Sequence, residues 1–216
     1  MDVGYGLVPG LFSLEEVAAI KGRLPDLEGQ AGSRGLLEFE WCAALAVEPR
    51  LKGLADSLVH GEARPVRGIL FDKVAGRNWN LGWHQDTKIA VRAAKPEVPG
   101  FSAWSVKEGV VHTLPPVEVL ELCVALRIHL DPCPADNGPL QVIPGSHHMG
   151  LRDYPSDDEI ATAVTLTAEV GDLIWMRPLV FHGSPRATRV DHRRVLHIEY
   201  SSAVLPGGLE WAWSVV

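Results

Sequence analysis

The sequence predicts a mainly β chain with flanking helices, read as an α+β domain or a helix-backed β-sandwich. Three observations lead there. The 216 residues include 21 Gly and 16 Pro, which punctuate the chain too often for long helices. Apolar residues recur at helical spacing before Arg64, and short apolar runs separated by turn residues follow it. The length suffices for one sizeable core, so residues 1–216 are expected to form a single domain: a helical part over 1–63 and a β core over 64–205.

The first helix is placed at Ser13, because "SLEE" sets Glu16 three residues after a serine, the capping-box arrangement. Val17, Ile20 and Leu24 follow at helical spacing, and Pro25 ends the run. "EPRLKGLADSLVH" predicts a second helix, with Pro49 in its first turn and Leu51, Leu54 and Leu58 on one face. From Arg64 the runs "RPVRGILFDKV", "CVALRIHLD", "NGPLQVIP", "VTLTAEV", "DLIWMRPLVFH" and "RRVLHIEYS" predict strands. Asn137-Gly138, Gly145, Gly171-Asp172 and Gly183 mark turns between them. Residues 88–116 form a long Gly/Pro-marked connection, expected to be an insertion or a lid, with residues 95–112 more mobile than the sandwich.

Composition narrows the partners. A formal net charge of −7 argues against nucleic-acid or anionic-membrane binding, since no phosphate surface would be neutralised. Three cysteines, Cys42, Cys123 and Cys133, form neither a disulfide framework nor a metal motif, and a reducing cytoplasm is expected. No secretory leader and no apolar run of membrane-spanning length is seen in the sequence.

The chemistry concentrates in "GWHQDT". On a strand or its extended end, His84 and Asp86 leave the same face, two residues apart. Alone, such a pair reads more plainly as a hydrogen-bonded turn. His182, at the end of an apolar run and followed by Gly183-Ser184, supplies a third ligand. Two histidines and one carboxylate on one side of an ion form the facial arrangement of non-haem Fe(II) oxygenases. The commonest electron-donating co-substrate of such an iron is 2-oxoglutarate. Its far carboxylate needs a fixed cation, best an Arg fork, and Arg193, eleven residues after His182, is the candidate, with Ser184 as a hydrogen-bond donor. Arg194 shares a face with Leu196, Ile198 and Tyr200; in a sandwich backed by helices that face lies outside, which turns Arg193 inward.

"WHQD", "NGPLQVIPGSHHMG" and "RPLVFHGSPRATRVDHRRVLHIEY", taken in order, resemble the phytanoyl-CoA dioxygenase family of Fe(II)/2-oxoglutarate oxygenases from about Arg64 to Tyr200. The resemblance implies a double-stranded β-helix (jelly-roll) with the N-terminal helices packed on one sheet. It carries metal binding to His84, Asp86 and His182, and 2-oxoglutarate binding to Arg193 and Ser184. Arg127 and Lys73 match further co-substrate contacts, Arg127 standing where some relatives have Trp. The implied activity is hydroxylation of a small organic molecule with O₂, coupled to decarboxylation of 2-oxoglutarate to succinate. The chain is short for the family's lipid-thioester hydroxylases, which argues against a CoA thioester as substrate.

Blander readings stand beside these. Arg193 could be a solvated charge in a basic hairpin, and the metal set could belong to a non-catalytic sensor or binding module or to a zinc hydrolase, although a hydrolase leaves Arg193 unexplained. Trp79 is read as core and Trp104 as a pocket wall. Gln85, Lys107 and His112 are candidate substrate contacts along with Trp104. "NGPLQVIPGSH" reads as architecture, with His147 satisfying buried backbone groups.

Overall fold

The computed structural model describes residues 2–27, 30–74, 78–188 and 191–215. Two antiparallel sheets enclose a central cavity. The larger has the order β1 (Tyr5–Val8), β11 (Leu173–Met176), β8 (Cys123–His129), β13 (Arg193–Ser201), β3 (Arg64–Lys73) and β2 (Gly32–Arg34). The smaller has the order β10 (Val164–Leu166), β9 (Leu140–Val142), β12 (His182–Ser184) and β4 (Leu81–His84). This is the helix-backed jelly-roll.

Three helices back the larger sheet: α1 (Leu14–Lys21), α2 (Glu40–Ala46) and α3 (Pro49–Val59). Ser13 and Glu16 cap α1 reciprocally, Glu16 N–H donating to Ser13 Oγ at 3.2 Å and Ser13 N–H to Glu16 Oε2 at 2.8 Å. The helix stops at Lys21, with Gly22 as its cap, short of Pro25. α3 begins at Pro49 as expected, but its buried stripe is Leu51, Ala55 and Val59, with Leu54 and Leu58 flanking it. The segment before residue 64 is more than helical, since it contributes both edge strands of the larger sheet.

Every second residue of the central strands faces these helices. Leu196, Ile198 and Tyr200 of β13, Val124, Leu126 and Ile128 of β8, and Leu70 of β3 join Leu36, Cys42, Ala46 and Leu51 in one buried cluster. Each such aliphatic side chain contributes about 1.5–3 kcal/mol when fully buried. Tyr200 keeps its hydroxyl satisfied by donating to Ala46 O at 2.9 Å. The alternate residues face the cavity, and register arranges them in rungs across β3, β13 and β8. Lys73 lies beside Arg193; Phe71, Val195 and His129 share the next rung; Ile69, His197 and Arg127 the third; Arg67, Glu199 and Ala125 the fourth.

"DLIWMRPLVFH" is two strands rather than one. β11 ends at Met176 in the larger sheet, the chain turns at Arg177-Pro178, with Val180 N–H donating to Arg177 O, and β12 begins at His182 in the smaller sheet. Pro178, which lacks an N–H for a ladder, marks the break. His182 therefore opens a strand.

Residues 88–116 fold as a third sheet of order β5 (Ile89–Val91), β7 (Val110–Leu114) and β6 (Ser102–Lys107). It has its own apolar cluster of Ile89, Val91, Val98, Phe101, Leu120, Leu179, Leu205 and Leu209. The C-terminal segment fastens it, with Arg92 N–H donating to Glu210 O and Ala212 N–H to Ala90 O, both at 3.0 Å. It is an insertion with a packed interior. Two short helices, α4 (Val117–Glu121) and α5 (Asp157–Ile160), complete the chain.

Candidate metal and co-substrate site

His84 and His182 are direct register partners on β4 and β12, their ring centroids 4.1 Å apart. Gly183 permits this pairing, because a Cβ there would lie 3.0 Å from Leu81 O. Asp86, just past β4, is anchored by its own N–H, which donates to Pro178 O at 2.9 Å. One ligand atom from each of the three residues lies within 4.8 Å of the others. Asp86 Oδ2 is 3.5 Å from His182 Nε2, and Asp86 Oδ1 is 3.9 Å from His84 Nε2.

The ring nitrogens are already sorted. His84 Nδ1 lies 2.8 Å from Gly82 O, and His182 Nδ1 lies 2.9 Å from Val180 O. A carbonyl only accepts, so each Nδ1 carries the proton and each Nε2 presents a lone pair to the centre. Burial lowers the His182 pKa to about 4 against the opposing pull of Asp86, so the ring is neutral at physiological pH. Burial disfavours the Asp86 carboxylate, but His182, His197, His84 and Arg67 outweigh it and hold the group at about 2. Two imidazole Nε2 atoms and one carboxylate on a common side fit a divalent first-row metal with open positions opposite.

The three face a cavity of about 70 Å³ between the sheets, whose walls include Phe71, Trp79, Arg127, Ser184, Arg193 and His197. Arg193, 3% exposed, is inside. Its Nη1 donates to Ser184 Oγ at 3.1 Å and to Gly138 O, and its Nε has no partner among the described residues. Lys73 Nζ donates to Ser184 Oγ at 2.9 Å and to Pro185 O at 2.6 Å. Burial and the neighbouring Arg193 pull the Lys73 ammonium down to about 8. Gly138 closes this cradle: its φ is +59°, and a Cβ would meet Pro185 O at 2.6 Å and Lys73 Nζ at 3.0 Å. Arg194 is outside, bound through Nε and Nη2 to Asp131 at 2.7 and 2.9 Å.

Arg127 stands two rungs from Arg193 and beside the metal ligands. Its Nη1 lies 2.9 Å from His197 Nδ1, and its guanidinium carbon 5.6 Å from the Phe71 ring centroid. On the fourth rung Arg67 holds Glu199, Nε donating to Oε1 at 3.0 Å. Arg67, Phe71, His197 and Glu199 were not singled out in the sequence. The signal was there: Arg193, His197 and Glu199 are the polar alternates of "RRVLHIEYS", and strand periodicity puts all three on one face.

The candidate substrate contacts are placed elsewhere. Gln85 is a buried clamp, its Nε2 donating to Leu179 O at 2.7 Å and Gly150 O at 2.9 Å while its Oε1 accepts from Arg152 N–H at 2.9 Å. It points away from the cavity because it sits between two residues that point in. Trp104 packs on the small sheet's apolar cluster, Lys107 is exposed on β6, and His112 is buried in β7 with Nδ1 3.0 Å from Val110 O. None of the four lines the metal cavity. Trp79, expected in the core, is one of its walls, with Lys73 Nζ 5.2 Å from its ring centroid. His147 has no hydrogen bond in the described structure; Ser146 does the work expected of it, accepting from Phe181 N–H at 2.8 Å.

Comparisons agree with this architecture. The chain is 28% identical over 191 residues to an L-proline trans-4-hydroxylase of Streptomyces griseoviridis, covering 75% of this chain and 63% of that protein. The chain thus spans less than two thirds of the length of this curated relative. HygX from Streptomyces hygroscopicus, solved with nickel and 2-oxoglutarate, shares the fold at a TM-score of 0.63 and 17% identity, covering 92% of this chain and 83% of that one. SnoN, a non-haem α-ketoglutarate-dependent epimerase from nogalamycin biosynthesis, does so at 0.68 and 19%, covering 95% and 86%. The family model for phytanoyl-CoA dioxygenase (PhyH) matches residues 2–195, nearly the whole chain, and by that match this protein belongs to the phytanoyl-CoA dioxygenase family.

Proposed function

We propose that this chain is an Fe(II)- and 2-oxoglutarate-dependent dioxygenase that hydroxylates a small organic molecule and converts 2-oxoglutarate to succinate and CO₂. One observation carries the reading: His84, Asp86 and His182 share a cavity with a buried Arg193 that has no carboxylate partner among the described residues. A hydrolase or a bare metal site has no use for that cation. The 2-oxoglutarate-bound HygX and the proline hydroxylase support the co-substrate and a small-molecule substrate.

Bound at His84, Asp86 and His182, ferrous iron supplies the electrons for O₂ chemistry that amino-acid side chains lack. The chain's residues bind, orient and exclude water. Gly82 O and Val180 O hold the Nδ1 protons, so both Nε2 atoms are ready as ligands. Arg193 receives the far carboxylate of 2-oxoglutarate through its fork, and Lys73 and Ser184 set the rim of that pocket. Ile69, Phe71 and Leu140 line the cavity between them, which keeps water from the reacting atoms. The negative net charge supports a partner set without nucleic acid. Three buried, unpaired cysteines support a cytoplasmic site of action, and among the described residues no helix is long and apolar enough to cross a membrane.

Succinate release tests the reading. Protein supplied with Fe(II), 2-oxoglutarate and O₂ should form succinate above a metal-free control, and a metabolite extract containing the substrate should accelerate it. Absence of both succinate and metal-dependent 2-oxoglutarate binding would refute the reading.

A further inference from the structure

We propose that Arg127 receives a carboxylate of the substrate, so that the molecule oxidised is a small carboxylic acid. The inference rests on the dioxygenase reading above and deepens it. Arg127 is only 7% exposed. Its one hydrogen bond to a described residue runs from Nη1 to His197 Nδ1, and its Nε is buried without a partner. A guanidinium only donates, so His197 Nδ1 accepts. The ring proton then sits on Nε2, which lies 3.2 Å from Glu199 Oε1. His197 is therefore neutral and offers Arg127 no charge.

The charge of Asp86 reaches Arg127, but that carboxylate is one of the three metal ligands, and no other neighbour offers one. Glu199 is taken by Arg67. His129, on the next rung, has its pKa pulled down to about 3 by burial, Arg127 and Arg193, and is uncharged. Burial raises the Cys133 thiol and keeps it protonated. In the loaded site Asp86 and the metal-side carboxylate of 2-oxoglutarate offset the two charges of the metal, and the far carboxylate of 2-oxoglutarate offsets Arg193. Arg127 and Lys73 remain. Lys73 has three oxygen acceptors within 3.4 Å, whereas Arg127 has one neutral nitrogen. A desolvated cation left in that state is costly, and an anion that completes it is bound strongly.

Position favours substrate over co-substrate. Arg193 and His197, four residues apart on one strand, are separated by about 13 Å of backbone, which sets Arg127 at the metal and away from the Arg193 pocket. There is also room for the rest of the acid. Ile69, Phe71, Trp79 and Leu81 line both the metal cavity and an adjoining groove of about 360 Å³, an apolar path along which its body can lie.

The competing claimant is the metal-side carboxylate of 2-oxoglutarate itself, and calorimetry on nickel-loaded protein separates the two. Wild type and Arg127→Met are titrated with 2-oxoglutarate, then with small carboxylic acids (L-proline, other α-amino acids, short hydroxy and aromatic acids) and their primary amides. The expected result is that 2-oxoglutarate affinity changes by no more than about threefold in Arg127→Met. At least one acid should bind wild type about thirtyfold or more tighter than its amide, a preference the variant loses. Metal-free Arg127→Met should also melt above metal-free wild type, since an uncompensated charge is gone. Collapse of 2-oxoglutarate affinity in the variant, or equal binding of every acid and amide by wild type, overturns the proposal; the second comparison needs no variant to fold. Failure of wild type to bind 2-oxoglutarate with nickel is a separate result, which removes the dioxygenase reading and this inference with it.

Discussion

Arg193→Ala is the sharpest test of how the two faces of β13 divide their work. In the folded protein Arg193 is 3% exposed, bonded to Ser184 Oγ and Gly138 O, with Nε unpartnered. Removing one partner of a buried charge pair costs about 2–5 kcal/mol, so 2-oxoglutarate affinity should fall by about thirtyfold to several thousandfold. Stability should respond less. Truncation removes one of two donors to the Gly138 carbonyl, which keeps the Ser184 hydroxyl at 2.8 Å, and it also removes a desolvated cation, so the two effects oppose each other. Arg194→Ala is the control from the adjacent position. It breaks a two-pronged pair with Asp131 on the helix side, so it should lower Tm while leaving 2-oxoglutarate affinity near wild type. Anaerobic titration of the Fe(II) protein with 2-oxoglutarate, followed by absorbance, reads the affinity directly. Near-normal binding by Arg193→Ala with a collapse in Arg194→Ala would refute the assignment of faces.

Asp86→Ala should leave the fold intact and weaken metal retention. Wild type at a hundredfold excess of metal over Kd gains about 2.7 kcal/mol of stability, and the variant's Tm should rise much less on metal addition; an equal rise would remove Asp86 from the site. Gln85→Ala orphans two carbonyls and one N–H and should cost about 2–4 kcal/mol, read as a lower denaturation midpoint. An unchanged midpoint with a fall in kcat/KM would make Gln85 a substrate contact after all. Lys73 titrates at about 8 in the fold against an ordinary 10.5. Its buried charge therefore opposes folding below pH 8, and stability should rise between 8 and 10.5, where the unfolded chain holds the extra proton. Affinity for 2-oxoglutarate should drift down over the pH range just above 8 as that charge is lost. Lys73→Met should flatten both trends, and identical pH profiles for the variant and wild type would show that Lys73 contributes to neither.

Local chemistry was the legible part of this sequence. The Ser13 capping box, the start of α3 at Pro49, the strand from Arg64 to Lys73 and the pairing of His84 with Asp86 all depend on neighbours within a few residues. The choice between Arg193 and Arg194 was also readable, because period two and the expectation of a helix-covered outer face were enough to decide it. What depended on distant contacts was not legible. β1 and β2 are short strands that exist because the edges of the larger sheet receive them, and α2 is held by Cys42 and Ala46 in a core to which α1, α3, β3, β8, β11 and β13 all contribute. Trp79 and Trp104 exchanged roles because their surroundings, the metal cavity for one and the small sheet's apolar cluster for the other, are built by segments distant in sequence. Residues 88–116 looked like a loop because their strands are short, and the cluster that stabilises them draws on Leu205 and Leu209, about a hundred residues away.

The alternation along β13 has a consequence for how such a site can change. Arg193 and His197 line the metal cavity and Glu199 shares their face, while Leu196, Ile198 and Tyr200 hold the sheet to its helices. A point substitution at an odd position can retune what the cavity accepts while leaving the adhesive face untouched. An inserted or deleted residue cannot, because it moves every following side chain to the opposite face and exchanges charge for hydrocarbon in both places. Variation in this strand is therefore confined to replacement, and libraries aimed at new substrates should randomise odd positions from 195 to 199 while keeping the even ones fixed.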